Sequence, residues 1–251
     1  MAKTYIALDA EFYWDKHLYE LHRAMDPESY DRAVAVKRVM AAGVFQFTID
    51  EEGRVSTGEI GSWSERDWGD EEGVVSKVFD YLRANEDKPV LTYGGLATDI
   101  PIFLLASMAH GLRLPPQLID QPGRKGPRPH LDLGLMLKGG GRTWTHLSQL
   151  LLRMDVPFEL VAAKASVPRP ASAAAWQNLR DHVELDCLLL AIAKIGWLVA
   201  QGTNGLRLEP AIIVLVEGFL RRRPDHSLAG ELRAYADSLH GVIADGFDSA
   251  A

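Results

Sequence analysis

Ile6-Ala7-Leu8-Asp9-Ala10-Glu11-Phe12 is the stretch on which the reading of this chain turns. A short apolar run ends in two carboxylates two residues apart, and Tyr13 and Trp14 follow Phe12. Side chains alternate faces along a strand, so Asp9 and Glu11 point the same way. Two like charges side by side repel, and burial sharpens the cost. A divalent cation between them would offset it. An acidic strand end fanning into solvent would satisfy the same pattern.

Outward from this stretch, residues 4 to 9 read as a buried strand. Residues 15 to 38 are charged and mixed, broken at Asp26-Pro27, with weak helical spacing from Glu28 through Tyr30, Val34 and Arg38. They read as an insertion between strands. Residues 39 to 49 form a second strand, Asp50-Glu51-Glu52-Gly53 a turn, and Arg54 to Ile60 a third strand. Trp63 and Trp68 are expected in a polar loop. Asp70 can cap a helix to about Asn85, with Val74, Val75, Val78, Phe79 and Leu82 as its apolar stripe.

Pro89 to Tyr93 is a short strand closed by Gly94-Gly95. A helix is expected from Asp99 to His110, ended by Gly111. Residues 115 to 130, rich in Pro, Gly and basic side chains, should form an exposed loop. Thr145 can cap a helix through Met154, and 155 to 172 read as loop. A long helix follows from about Ala173 to Ala200, then two more near 209–222 and 227–243.

Three strands in succession should be antiparallel. The strand after the first helix should lie parallel to the first strand through a right-handed crossover. The order predicts an α/β fold, a ribonuclease-H-like mixed sheet flanked by helices, with an extra C-terminal helical segment. Residues 1–203 would be the main domain and 204–251 the helical extension. The extension's apolar Ile212, Ile213, Leu215, Val216 and Phe219 could pack on that domain or mediate a homodimer.

The chain has 251 residues, 47% hydrophobic and 24% charged, which suits one generous globular domain. No apolar run reaches the ~18 residues of a membrane span. The start, Met-Ala-Lys-Thr, runs straight into a strand, so no secretory signal is expected. The single cysteine, Cys187, excludes an internal disulfide and a Cys-rich zinc site, which fits a cytoplasmic protein. A net charge of -7 argues against broad electrostatic binding of nucleic acid. It leaves room for a carboxylate site that meets phosphates through metal ions. Gly139-Gly140-Gly141 is followed by Arg-Thr rather than Lys-Ser or Lys-Thr and is not a phosphate-binding P-loop.

Two further carboxylates stand out. Asp99 follows Gly94-Gly95, where missing side chains let backbone or substrate come close. Asp99 or Thr98 could equally be a helix cap, with Pro101 tolerated in the first turn. Asp186 lies mid-helix, just before a strongly apolar run. His182 is one turn earlier and shares its face. A carboxylate at that buried edge wants a cation or a donor.

Asp9-Ala10-Glu11, Asp99 after a strand and Gly-Gly, and His182-x-x-x-Asp186 together resemble the 3′→5′ exonucleases with four acidic metal ligands, the DEDD superfamily. The likeness is to the stand-alone group related to the proofreading exonuclease domain of family B DNA polymerases. Gly94 to Phe103 resembles that group's Asn-Gly-x-x-Phe-Asp-x-Pro box, and His130-Leu131-Asp132-Leu133 its middle region. The likeness spans about residues 4 to 200. Gly94 stands where the box has Asn, and Thr98 where it has Phe. His182 stands where the group has Tyr. The sister group's His falls one residue earlier, at Asp181 here.

The resemblance implies a 3′→5′ exonuclease acting on nucleic acid with a single-stranded 3′ end, DNA favoured. It implies two divalent cations, Mg²⁺ or Mn²⁺. Asp9, Glu11 and Asp186 would hold one, and Asp9 and Asp99 the other. His182 would orient or deprotonate the attacking water. Phe12, Tyr13, Gly95 and Thr98 would meet the substrate. Arg124, Lys125, Arg128 and Arg142 are candidate phosphate contacts, and Arg221-Arg222-Arg223 another, though that run also suits a helix C-terminus. His130 and Asp132 would be structural. A catalytically impaired binding module and an RNA-trimming exoribonuclease are the alternatives.

Overall fold

The computed structural model describes residues 2–25, 34–119, 129–138, 141, 143–162 and 169–248. The expectations placed on Asp26-Pro27, Glu28 and Tyr30, on Gly139-Gly140, and on Arg124, Lys125, Arg128 and Arg142 fall outside them.

β1 (Lys3–Trp14) carries the apolar run and both carboxylates, and it takes in Phe12, Tyr13 and Trp14 as well. It pairs antiparallel with β2 (Lys37–Ile49), which pairs antiparallel with β3 (Val55–Ser64). β4 (Val90–Thr92) and β5 (His130–Asp132) continue the sheet in parallel on the other side of β1. The order is β3-β2-β1-β4-β5. The expected directions hold, and a mixed sheet flanked by helices is compatible with the ribonuclease-H-like arrangement.

Being central, β1 is covered on both faces. Ile6, Leu8 and Ala10 face α3 (Glu71–Ala84) and α4 (Asp99–His110). Tyr5 and Ala7 face α8 (Ala173–Ala200). α3 starts where Asp70 accepts a hydrogen bond from Gly73 N at 3.0 Å, and α4 stops at Gly111, whose left-handed φ of 67° few other residues tolerate. α9 (Leu208–Arg222) and α10 (Ala229–Asp248) lie on the α8 side and share its core through Leu215, Phe219 and Leu232. The five residues that raised a homodimer through α9 are buried inside the chain itself.

Several elements depart from expectation. α1 (Lys16–Met25) lies in the stretch read as an insertion between strands; Leu18, Leu21 and Met25 share one of its faces, yet it buries no residue. β3 runs to Ser64, so Trp63 sits in a strand and packs on Tyr81 at 5.4 Å between ring centres. Trp68 ends the single turn α2 (Glu65–Trp68), with Lys77 Nζ 4.4 Å from its ring centre. β5 leads into α5 (Leu133–Lys138). α6 (Leu147–Arg153) starts one residue later than a Thr145 cap would place it, with His146 at the N-cap; His146 N donates to Gln149 Oε1 at 3.0 Å. α7 (Phe158–Ala162) is a short helix within the expected loop.

Candidate metal centre and adjoining cleft

Gly43 brings the two halves of the site together. It lies opposite Asp9 across the β1–β2 ladder. A Cβ there would meet the backbone oxygen of Val183 at 2.8 Å. Only a residue without a side chain lets α8 rest its backbone on the sheet at this point. That contact lays His182 and Asp186, one helical turn apart, beside the odd-numbered face of β1.

His182 Nε2 stands 3.0 Å from Glu11 Oε1 and 3.8 Å from Asp186 Oδ2. Glu11, His182 and Asp186 each offer one ligand atom, and the three lie within 4.8 Å of one another. The side chains of His182 and Asp186 are 9% and 6% exposed, and that of Glu11 is 23% exposed. Two carboxylates taken this far out of water need positive charge close by. An imidazolium supplies one unit, and a divalent cation supplies two. Two hard oxygens and one imidazole nitrogen form a donor set that Mn²⁺ accepts readily and Mg²⁺ accepts less well. The group could therefore hold a metal ion.

Asp9 and Asp99 are not in that group of three. Asp9 lies two residues before Glu11 on the same face, half-buried. It opens on a cleft of about 370 Å³, a size suited to a small ligand. Tyr93, Thr98, Trp144, His146 and Ser148 line it further. Asp99 is buried at the first residue of α4. Thr98 holds the N-cap position, but its hydroxyl makes no cap hydrogen bond; it lines the cleft instead.

The Gly94-Gly95 turn is built for packing. Gly94 has φ of 77°, and a Cβ on it would meet the Trp144 ring at 2.8 Å. A Cβ on Gly95 would meet Thr92 Oγ1 at 2.4 Å. Asp132 fixes the turn, accepting from Gly94 N at 2.8 Å, Leu96 N at 2.9 Å and Leu135 N at 3.1 Å. His130 Nε2 meets Thr92 Oγ1 at 2.9 Å, and burial pushes this imidazole below its ordinary pKa.

Phe12 and Tyr13 alternate away from each other. Phe12 packs in the α3–α4 core. Tyr13 lies on the α8 side with the Arg169 guanidinium 4.5 Å from its ring centre. Burial, then the Glu65 charge, raises the Tyr13 hydroxyl pKa. In the tail, Arg223 and Arg222 are held by Glu184 and Thr57, while Arg221 stays exposed beside Glu217. Cys187 is buried and its thiol is pushed well up by burial, so it is an inert packing residue.

Sequence reasoning passed over Trp144, Tyr93, His146 and Ser148. Trp144 stands edge-on to Tyr93 at 6.1 Å between ring centres, and Tyr93 OH donates to Thr145 O at 2.5 Å. Their signal was an aromatic residue just after a glycine run, which alone reads as loop.

No protein-family model matches the chain, and no curated protein matches it. Among solved structures it is similar to the family B DNA polymerase from the hyperthermophilic archaeon Pyrobaculum calidifontis, at 13% identity and a TM-score of 0.42. The similarity covers 88% of this chain and 29% of that one, so the chain spans less than a third of the polymerase's length.

Proposed function

We propose that this protein is a metal-dependent 3′→5′ exonuclease that hydrolyses phosphodiester bonds of single-stranded nucleic acid, with DNA the favoured substrate. The observation that carries the reading is the meeting of Glu11, His182 and Asp186 within 4.8 Å, beside Asp9 and an aromatic-lined cleft. Asp9, Glu11 and Asp186 would hold one Mg²⁺ or Mn²⁺ ion, and Asp9 with Asp99 a second. Such ions, when bound, neutralise charge at the phosphorus and lower the pKa of coordinated water. Residues 1–203 would carry this machinery, with 204–251 as the helical extension; α9 and α10 share the core of α8.

His182 is the proton holder. Its Nε2 already shares a hydrogen bond with a carboxylate, so the imidazole is oriented before substrate arrives. With Asp9, Glu11 and Asp186 holding a metal ion, His182 Nε2 would be left to take a proton from the attacking water rather than serve as a ligand. General-base help of this kind is worth roughly 10²–10⁴-fold. His182→Ala should lose about that factor while still folding. A wild-type rate would reduce His182 to a helix-face residue.

The direct test uses a 5′-labelled single strand with a free 3′ hydroxyl. In Mn²⁺ or Mg²⁺ it should shorten to a ladder, and EDTA or a blocked 3′ end should stop it. No shortening of either DNA or RNA would overturn the reading. Faster shortening of RNA would make the protein an RNA-trimming enzyme. The His182–Glu11 contact also favours a second reading, since it gives Glu11 a hydrogen-bond partner without any metal ion. A binding module of this kind would retain the labelled strand uncut.

A further inference from the structure

The α8-facing side chains of β1 bear three different chemistries in a row. Asp9 opens on the Tyr93–Trp144 cleft. Glu11 meets His182 and belongs with Asp186 to the metal-capable group. Tyr13 lies under the Arg169 guanidinium. Alternate residues of a strand are about 6.6 Å apart, a repeat that an extended single strand can follow one nucleotide at a time.

Each end is built to stay in place. Trp144 is held edge-on by Tyr93, whose hydroxyl is tied to Thr145 O, and its ring sits against Gly94 and Gly134, where any Cβ would approach within 2.8 Å and 2.6 Å. At the other end Arg169 NH2 donates to Glu65 Oε2 at 2.9 Å. The Glu65 side chain is 4% exposed while that of Arg169 is 56% exposed. A buried carboxylate thus anchors a guanidinium that still offers donors to solvent, the arrangement suited to a phosphate. Arg169 also covers a face of Tyr13, which makes that ring a bed for the guanidinium rather than a platform for a base.

We propose that this side of β1 is a polar substrate track: the unpaired 3′-terminal nucleoside stacks on Trp144 in the cleft at Asp9, its phosphodiester lies at Glu11, His182 and Asp186, and the next phosphate toward the 5′ end is held by Arg169. The assignment rests on the exonuclease reading above. It adds the residues that set the direction of the strand and its single-stranded character. A cleft of about 370 Å³ has room for one nucleoside.

The test is binding in Mg²⁺ of a thymidine mononucleotide and of a phosphorothioate trinucleotide, which resists hydrolysis. The variants are Trp144→Leu, Trp144→Phe, Arg169→Ala and Arg169→Lys, each checked for its melting midpoint. Trp144→Leu keeps apolar bulk but removes the ring, and should weaken both ligands roughly 5- to 150-fold. Trp144→Phe should restore most of that. Arg169→Ala should weaken the trinucleotide alone and reduce its salt slope by about 0.7, with Arg169→Lys keeping the slope. Wild-type binding by Trp144→Leu, or an unchanged salt slope in Arg169→Ala, overturns the track. If the wild-type protein still shortens strands, the exonuclease reading survives that result. A wild-type protein that neither binds the trinucleotide nor cuts a strand overturns both.

Discussion

Helix α8 buries carboxylates on two sides and treats them in opposite ways. On one side Glu184, 3% exposed, is met by Arg223 Nε at 2.6 Å and NH2 at 2.9 Å and by Ser62 Oγ at 2.6 Å. Asp181 nearby accepts from Ser227 N at 2.9 Å and Gln177 Nε2 at 2.8 Å. On the other side Asp186 and Glu11 share an imidazole. A guanidinium is permanently charged and its fork locks a carboxylate in place. An imidazole gives its charge up near neutral pH. The first arrangement fastens α8 to β3 and to the end of α9. The second keeps two carboxylates together without locking them to a permanent charge, which leaves the group able to hold a metal ion.

The largest effect expected from this contrast is on activity. Asp186→Asn, or Asp9→Asn, should cut strand shortening by at least about 10³-fold, since metal ions supply several kcal/mol of transition-state stabilisation. The fold should persist. Bound at about 100 times its dissociation constant, Mn²⁺ should stabilise the wild-type protein by about 2.7 kcal/mol, and Asp186→Asn should lose most of that gain. Full activity in Asp186→Asn would break the contrast, because both sides of α8 would then be structural.

Arg223→Ala is the mirror experiment and should act on stability alone. It strands the Glu184 carboxylate among Ser62 and core residues. Removing one partner of a buried ion pair costs about 3–5 kcal/mol. For a chain of this size the melting midpoint should fall by roughly 6–20 °C. The cleavage rate well below the midpoint should hardly change. A midpoint within a degree of wild type would show that Glu184 needs no arginine.

The sequence carried the His182–Asp186 side of α8 better than the Glu184 side, for a physical reason. Asp9, Glu11, His182 and Asp186 announce themselves by local spacing, two residues on a strand and four on a helix. The antiparallel trio and the parallel β4 followed from strand order and link length. Arg223 and Glu184 come from different helices, and nothing local pairs them. Trp144 owes its place to Gly94 and Gly134, which only tertiary structure brings together. β5 has three residues and exists because β4 supplies its hydrogen bonds. Asp132 reads as an isolated acid in an apolar run, and its three backbone donors come from turns that its own segment does not define alone.

A fourth buried charge on α8 tests how far a helix can go with no carboxylate partner among the described residues. Lys194 is 3% exposed, and its Nζ stands 5.5 Å from the ring centre of Tyr5. Burial, and then the nearby charge of Lys3, pushes its pKa down to about 8 from an ordinary value of 10.5. The unfolded chain therefore binds this proton more tightly than the folded one, and stability must rise with pH wherever the two differ. The rise should begin near pH 8 and end near 10.5. Each unit of displacement is worth about 1.4 kcal/mol, partly offset by the cation's attraction to the Tyr5 ring. A midpoint gain of a few degrees across that window is expected, after allowing for other groups by subtracting the same scan of Lys194→Met. If the two scans run parallel, the ammonium reaches water in solution, and burial of charge on α8 is confined to the Glu184 and Asp186 sides.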